Sequence, residues 1–242
     1  MRNGVFNMKE WKDSAFLNRA VAEHGLEDVI PPELRLHMTL CAYEEGELVC
    51  AQGDPGQTLY ILIAGKLKIF TTSEEGKTLI LSFKTPLELI GDIEFIRGTD
   101  IMNTVEAMTG VTMLAIPYRI LRQYGDHPPL LHFLLQMITE KFFVKSASLS
   151  FNLLYPVEVR LASYLLSVSE ESGEGGGLSR SKRPVNLTDA AHLIGTSYRH
   201  VNRVIRQFCR DGLVERSRKG ITVADRSKLQ ALAKHNIYEK EQ

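Results

Sequence analysis

Between Tyr198 and Arg210 the chain carries four arginines, an asparagine and a tyrosine, and no acidic residue. Tyr198, Arg199, Asn202, Arg203 and Arg206 fall at helical spacing and share one face. Each side chain has a chemistry suited to duplex nucleic acid. An arginine can donate two hydrogen bonds to guanine, and an asparagine can exchange two with adenine. A tyrosine can bond a phosphate or pack on a thymine methyl. A solvated helix face ordinarily mixes Glu with Lys, and this one does not. Tyr198, Arg199, Asn202 and Arg203 are therefore assigned to base edges. Arg206 joins Asn186, Thr188, Arg218 and Lys219 as contacts to phosphate.

These side chains need elements that present them. Asn186 is a good N-cap for a first helix whose packing face is Leu187, Ala190, Ala191 and Ile194. Gly195 supplies a tight turn, and Ser197 caps a second helix with Val201, Val204, Ile205 and Phe208 inward. A recognition helix offers its N-terminal outer face to the major groove. After Gly212, the run from Leu213 to Val223 reads as a two-strand hairpin with Arg218-Lys219-Gly220 at its tip, a basic wing. The charge distribution agrees. The formal net charge is zero, yet residues 180–235 hold thirteen Lys or Arg against four Asp or Glu. A neutral chain with one basic end reads as a neutral or acidic module joined to a polyanion-binding one.

Upstream the texture differs. Residues 1–35 read as a short helical lead-in closed by Pro31 and Pro32. From Met38 to Ile116 short apolar runs (Leu48–Cys50, Leu59–Ile63, Leu67–Phe70, Leu79–Phe83, Val111–Ile116) alternate with glycines, the pattern of a small all-β barrel or roll. Glu74-Glu75-Gly76-Lys77 marks a hairpin turn. From Pro129 to Leu154 there is no glycine, and apolar residues recur three or four apart, which predicts a helix of about seven turns. It carries two stripes, so it can pack on its own domain and on a second copy. Leu131, Leu134, Leu135, Ile138, Phe142 and Leu149 are assigned to that homodimer seam. Pro156 then opens an amphipathic helix, Val157 to Ser169, and residues 172–184 are Gly-, Ser- and Arg-rich, a loop.

The resulting division is a sensor-like domain over 1–127, a dimerisation helix over 128–155 and a DNA-binding domain over 156–242. The fold class is α+β. Several other classes find no support. No apolar run approaches the ~18 residues of a membrane span, and Met1 to Asp13 is too polar for a secretory signal. Cys41, Cys50 and Cys209 do not make a disulfide framework, which fits a reducing cytoplasm. Cys41 and Cys50 are expected on neighbouring early strands, either as two ordinary buried thiols or as a reversible redox pair. The histidines show no metal-ligand spacing, so no metal is assigned. Signature motifs of common hydrolases and phosphate-binding loops are missing, so an enzyme is not expected.

The chain resembles the CRP/FNR family of bacterial transcription regulators. The resemblance is carried by Leu59-Tyr60-Ile61-Leu62-Ile63-Ala64-Gly65-Lys66, Glu75-Gly76-Lys77, Ile90-Gly91-Asp92-Ile93-Glu94, the long helix, and the helix-turn-helix with its wing, over about residues 35–235. Ile90 to Ile96 and Gly195 to His200 are most similar to the YeiL branch. The resemblance implies an N-terminal cyclic-nucleotide-binding-like β-roll (jelly roll), a long dimerisation helix and a C-terminal winged helix-turn-helix. It implies double-stranded DNA and RNA polymerase as partners. It also implies an effector pocket, which maps here to Ile90, Gly91, Asp92, Ile93, Asn103, Thr104, Lys145 and Ser146. The nucleotide-binding members carry Gly-Glu followed by an Arg that neutralises the cyclic phosphate. Gly91-Asp92 stands in that place, and no Arg or Lys occurs between Gly98 and Pro117. A buried phosphate without a fixed cation is costly. The effector expected is thus unknown, other than cyclic AMP or none, and no cofactor is expected. A thiol-based redox regulator using Cys41 and Cys50, and a cyclic-nucleotide-binding regulatory protein without a DNA role, are the alternatives.

Overall fold

The computed structural model describes residues 9–170, 186–217 and 220–233. The chain divides into two compact units, with the boundary between Phe142 and Phe143. The first begins with strand β1 (Lys9–Trp11), helix α1 (Ser14–Glu23) and the short helix α2 (Pro32–Arg35). The expected helical lead-in is therefore partly strand. β1 is exposed throughout and exists because it pairs with a distant strand, Lys9 opposite Ala42, a contact local periodicity cannot reveal. Pro32 also opens a helix where it was expected to close one. A proline has no N–H to lose in a first turn, and Pro31 holds extended backbone ahead of it.

Strands β2 (Thr39–Tyr43), β3 (Leu48–Cys50), β4 (Thr58–Ala64), β5 (Leu67–Thr72), β6 (Thr78–Lys84) and β7 (Glu88–Ile90) follow. Then come helix α3 (Asp92–Arg97), strands β8 (Thr104–Ala107) and β9 (Val111–Pro117), and helix α4 (Tyr118–Leu121). The strands form two antiparallel sheets, ordered β1-β2-β9-β4-β7 and β3-β8-β5-β6. The expected hairpin at Gly76 joins β5 to β6, with Ser73 N–H donating to the Lys77 carbonyl. Between the sheets lies one core that includes Cys41, Leu62 and Met113 from the first sheet and Cys50, Leu67 and Val105 from the second. The other face of the first sheet supports a second core, where Leu40, Ile61 and Leu114 meet α1 and α2 and the start of the next helix. Covering both faces explains why β9 is buried almost without alternation.

That helix, α5, runs Pro128–Leu154, one residue longer than expected. Burial does not follow the two stripes, since Phe143 and Leu154 are also exposed. Leu130 and Leu134 are buried against the roll, whereas Leu131, Leu135, Phe142, Leu149 and Leu153 are exposed, the last four at 61–76%. Leu134, which was assigned to the homodimer seam, therefore packs in its own domain. Its Cβ points to the roll, because residues one apart on a helix diverge by about 100°.

The second unit contains α6 (Val157–Glu170), α7 (Leu187–Leu193), α8 (Tyr198–Arg210), the antiparallel strands β10 (Val214–Ser217) and β11 (Gly220–Val223), and α9 (Arg226–Ala233). Its buried residues include Leu161, Leu165, Ala190, Ile194, Val201, Val204, Ile205, Phe208, Val214 and Leu229. The i, i+3, i+4, i+7 stripe of α8 is thus its inner face. The helix α9, which packs on α6, has a weak apolar pattern of its own and was not anticipated.

Candidate nucleic-acid interface

The helix-turn-helix is set by local chemistry. Asn186 Oδ1 accepts from the Thr188 and Asp189 amides at 2.9 and 3.3 Å, which caps α7. Ser197 Oγ accepts from the His200 amide at 3.2 Å and caps α8. Between them Gly195 sits at φ +66°, in the left-handed region that turns the chain sharply at low cost to glycine. The Arg160 guanidinium of α6 donates to the Ile194 carbonyl, closing the end of α7.

This arrangement gathers Tyr198, Arg199, Asn202, Arg203 and Arg206 along one shallow concavity, as the helical spacing predicts, and adds Arg216 from β10. Among the described residues none of Arg199, Arg203, Arg206 and Arg216 is ion-paired to a carboxylate. Four guanidinium groups left facing one another repel, and the surface is poised for an anion. Arg203 Nη2 lies 2.8 Å from His200 Nε2, and His200 Nδ1 lies 3.4 Å from Thr196 Oγ1. An arginine has only donors, so His200 accepts at Nε2 and the pair fixes the direction of Arg203. Sequence reasoning missed His200 and Arg216. Arg216 could have been found: strand alternation puts it on the same face as the buried Val214, the face turned to α8. Asn186 and Thr188 are exposed at the start of α7. Arg218 and Lys219 lie outside the described residues, between the paired positions Ser217 and Gly220.

Of the residues expected to form an effector pocket, Ile90, Gly91, Asp92, Ile93, Asn103 and Thr104 belong to the first unit and Lys145 and Ser146 to the second. Gly91 is at φ +88°, and a Cβ there would meet the Tyr118 hydroxyl at 2.6 Å and the Thr58 carbonyl at 2.7 Å, so only glycine fits. Asp92 is 2% exposed, and both its oxygens are taken by Lys141 Nζ of α5, at 2.8 and 2.9 Å. The same ammonium donates to the Leu89 carbonyl at 2.6 Å and lies 3.2 Å from Glu88 Oε1, while Lys84 pairs with Glu88 Oε2. Burial alone would raise the Glu88 carboxyl, but Lys141 and Lys84 more than offset it and hold it below the ordinary glutamate range. Ile90 is buried, Ile93 is half-buried, and Thr104 Oγ1 accepts from the Gln52 amide at 3.1 Å. The Asn103 carbonyl faces Cys50 Sγ, and Lys145 and Ser146 are exposed on the part of α5 that belongs to the second unit. The roll has a cavity of about 260 Å³ whose lining includes Tyr43, Val49, Cys50, Asp54, Thr58 and Tyr60.

Cys41 and Cys50 are both free thiols. They lie on strands of different sheets, β2 and β3, not on paired neighbours as expected. The chain crosses to the other sheet at the turn near Gly46, which a strand count along the sequence cannot show. Burial pushes the Cys41 thiol up to about 11 and the Cys50 thiol up to about 12, so neither forms a thiolate near neutrality.

Among the described residues, no group of three or more His, Cys, Asp or Glu side chains could hold a metal ion. No described helix is long and apolar enough to cross a membrane.

Comparison with known proteins agrees with this geometry. Residues 40–127 match the cyclic nucleotide-binding domain family, and residues 159–232 match the Crp-like helix-turn-helix domain. The chain is 25% identical to the CRP-like cAMP-activated global transcriptional regulator of Mycobacterium tuberculosis, over 88% of this chain and 96% of that one. It is 28% identical to the regulatory protein YeiL of Escherichia coli O157:H7, over 88% and 94%. Among solved structures, the c-di-GMP-responsive global regulator CLP of Xanthomonas campestris superposes with a TM-score of 0.69 at 21% identity, covering 78% of this chain and 95% of that one. A CRP-family transcriptional regulator of Thermus thermophilus gives 0.67 at 20% identity, covering 81% and 97%. These two likenesses bear on the fold alone. With a cyclic nucleotide-binding domain followed by a Crp-like helix-turn-helix, and with relatives aligned over nearly their whole length, the chain belongs to the CRP/FNR family of transcription regulators.

Proposed function

We propose that the chain acts in the cytoplasm as a homodimer that reads an inverted repeat in duplex DNA and recruits RNA polymerase, with an effector other than cyclic AMP or none. The observation that carries this reading is the concavity of Tyr198, Arg199, Asn202, Arg203, Arg206 and Arg216, free of carboxylate, on a capped helix-turn-helix. Tyr198, Arg199 and Arg203 face base edges. Arg206, Asn186, Thr188, Arg218 and Lys219 face phosphates. Exposed Leu131, Leu135, Phe142 and Leu149 with half-buried Ile138 form a stripe that advances by four, three, four and seven residues, a coiled-coil seam suited to a second copy of α5. Residues 1–127, 128–155 and 156–242 would then be sensor, dimerisation helix and reader. Catalysis has no part in this reading.

Against cyclic AMP stands the Asp92 site. The carboxylate that stands in place of the family's Glu is bound to Lys141, and residues 99–116 contain no cation for a phosphate. Against a redox pair stand the buried, un-ionised thiols, and Cys41→Ser should leave DNA binding unchanged. The test is fluorescence anisotropy of generic and inverted-repeat duplexes at two salt concentrations, with and without cyclic AMP. Strongly salt-dependent binding that ignores cyclic AMP is expected. Salt-independent or undetectable binding to duplex DNA would overturn the DNA reading, and a cyclic AMP-dependent rise in affinity would overturn the effector reading.

A further inference from the structure

Asn202 stands where an adenine reader would stand, yet its amide is already committed within the protein. Its Oδ1 accepts from Arg216 Nη1 at 3.0 Å, and its Nδ2 donates to the Tyr198 carbonyl one turn earlier at 3.2 Å. Bidentate recognition of adenine needs both of these groups, Oδ1 to accept from N6 and Nδ2 to donate to N7. To read adenine, Asn202 would have to set its second lone pair and second N–H against one base edge while still bonded to Arg216 and Tyr198, or else release an arginine inside a crowded cationic concavity.

Arg216 is in the opposite position. A guanidinium has five N–H donors, and Nη1 supplies one to Asn202. Among the described residues no carboxylate pairs with it, and Arg216 lines the same concavity as Arg199 and Arg203. The Asn202 bond holds a long, flexible side chain in one direction before any ligand arrives, which lowers the entropy lost on binding. A pinned guanidinium with free donors is the group that matches O6 and N7 of guanine. We infer that Arg216, contributed by the wing strand β10, is a specificity-determining residue that reads guanine, and that Asn202 is its positioning residue and not a reader of adenine. The inference rests on the DNA-binding reading of this surface.

The experiment is selection of random duplexes, followed by affinity measurement on the selected site, for the full-length wild type, Arg216→Ala, Arg216→Lys, Asn202→Ala and the Arg216→Ala/Asn202→Ala double variant. Thermal unfolding of each variant checks that the fold is kept. Arg216→Ala and Asn202→Ala should relax the same guanine position. Arg216→Ala should weaken binding on the order of tenfold to a hundredfold, and the double variant should be no weaker than Arg216→Ala alone. Arg216→Lys should fail to restore the preference, because an ammonium is a point charge and not a fork. Three results would overturn the inference. One is an adenine position lost in Asn202→Ala and kept in Arg216→Ala. Another is an Arg216→Lys variant with wild-type affinity and consensus, which would make Arg216 a phosphate contact. The third is a double variant whose losses simply add. A wild type that selects no duplex at all sinks the DNA reading beneath it, and that outcome is distinct from the other three.

Discussion

Lys141 Nζ lies 2.8 Å from Asp92 Oδ1 across 49 residues of sequence, and it satisfies both oxygens of that carboxylate as well as one oxygen of Glu88. One ammonium on the long helix therefore neutralises charge at the start of β7 and the start of α3. Removing it strands buried carboxylates, which typically costs about 3–5 kcal/mol. Lys141→Met should lower the unfolding free energy by about that much in urea titrations at fixed protein concentration. Lys141→Met combined with Asp92→Asn should recover part of the loss, because the stranded charge is then gone. A Lys141→Met loss below about 1 kcal/mol would mean the ammonium is not what compensates Asp92 and Glu88.

The same cluster sets an acid limit. Glu88 is held below the ordinary glutamate range, so the folded state favours its ionised form more than the unfolded chain does. Its contribution is fully present above the unfolded value of about 4.3 and is lost as pH falls through the lower folded value. Glu88→Gln should be less stable than wild type at neutral pH, and the gap should narrow as pH falls below about 4. Denaturation at a series of pH values checks this. A gap that stays constant down to pH 3 would contradict it.

Exposure along α5 separates two variants that periodicity treats alike. Leu135 is 64% and Phe142 74% exposed, while Leu134 is 3% exposed in the roll's second core. Leu135→Lys or Phe142→Lys should leave a folded chain that sediments as a monomer and binds an inverted repeat weakly, since two half-sites are no longer engaged together. Leu134→Lys should instead unfold or strongly destabilise the roll, because it buries an unpaired charge. Sedimentation and circular dichroism on the three proteins distinguish the outcomes. A monomeric wild type at micromolar concentration would remove the seam altogether.

What was legible in the sequence was local. The caps at Asn186 and Ser197, the turn at Gly195, the inner stripe of α8 and the β5–β6 hairpin each depend on residues within a few positions of one another, and each is where spacing put it. What was missed depends on distance along the chain. Lys141 meets Asp92 only after the β-roll is built, and Arg216 meets Asn202 only when the hairpin folds back on α8. Periodicity likewise showed two stripes on α5 without showing that the roll would cover Leu130 and Leu134, one from each. Cys41 and Cys50 are nine residues apart and end in opposite sheets, because the chain changes sheet between them.

The DNA surface offers a contrast between readers and clamps. Arg203 is held by His200 and lies in the concavity, whereas Lys219 belongs to the tip of the wing sequence. A two-fold dimer should select an inverted repeat with half-sites centred about one helical turn, ~34 Å, apart. Loss of a base-reading arginine costs roughly 1–3 kcal/mol and relaxes preference at one position. Loss of a phosphate contact weakens all sequences alike and flattens the salt slope by about one unit per contact. Selection of random duplexes with wild type, Arg203→Ala and Lys219→Ala, repeated at two salt concentrations, should therefore give two different phenotypes. Arg203→Ala should lose one position of the consensus in each half-site and keep most of its salt dependence. Lys219→Ala should keep the whole consensus with a shallower slope. If Arg203→Ala retains the wild-type consensus at every position, the reading face of α8 is turned differently from the one assigned to Tyr198, Arg199 and Arg203.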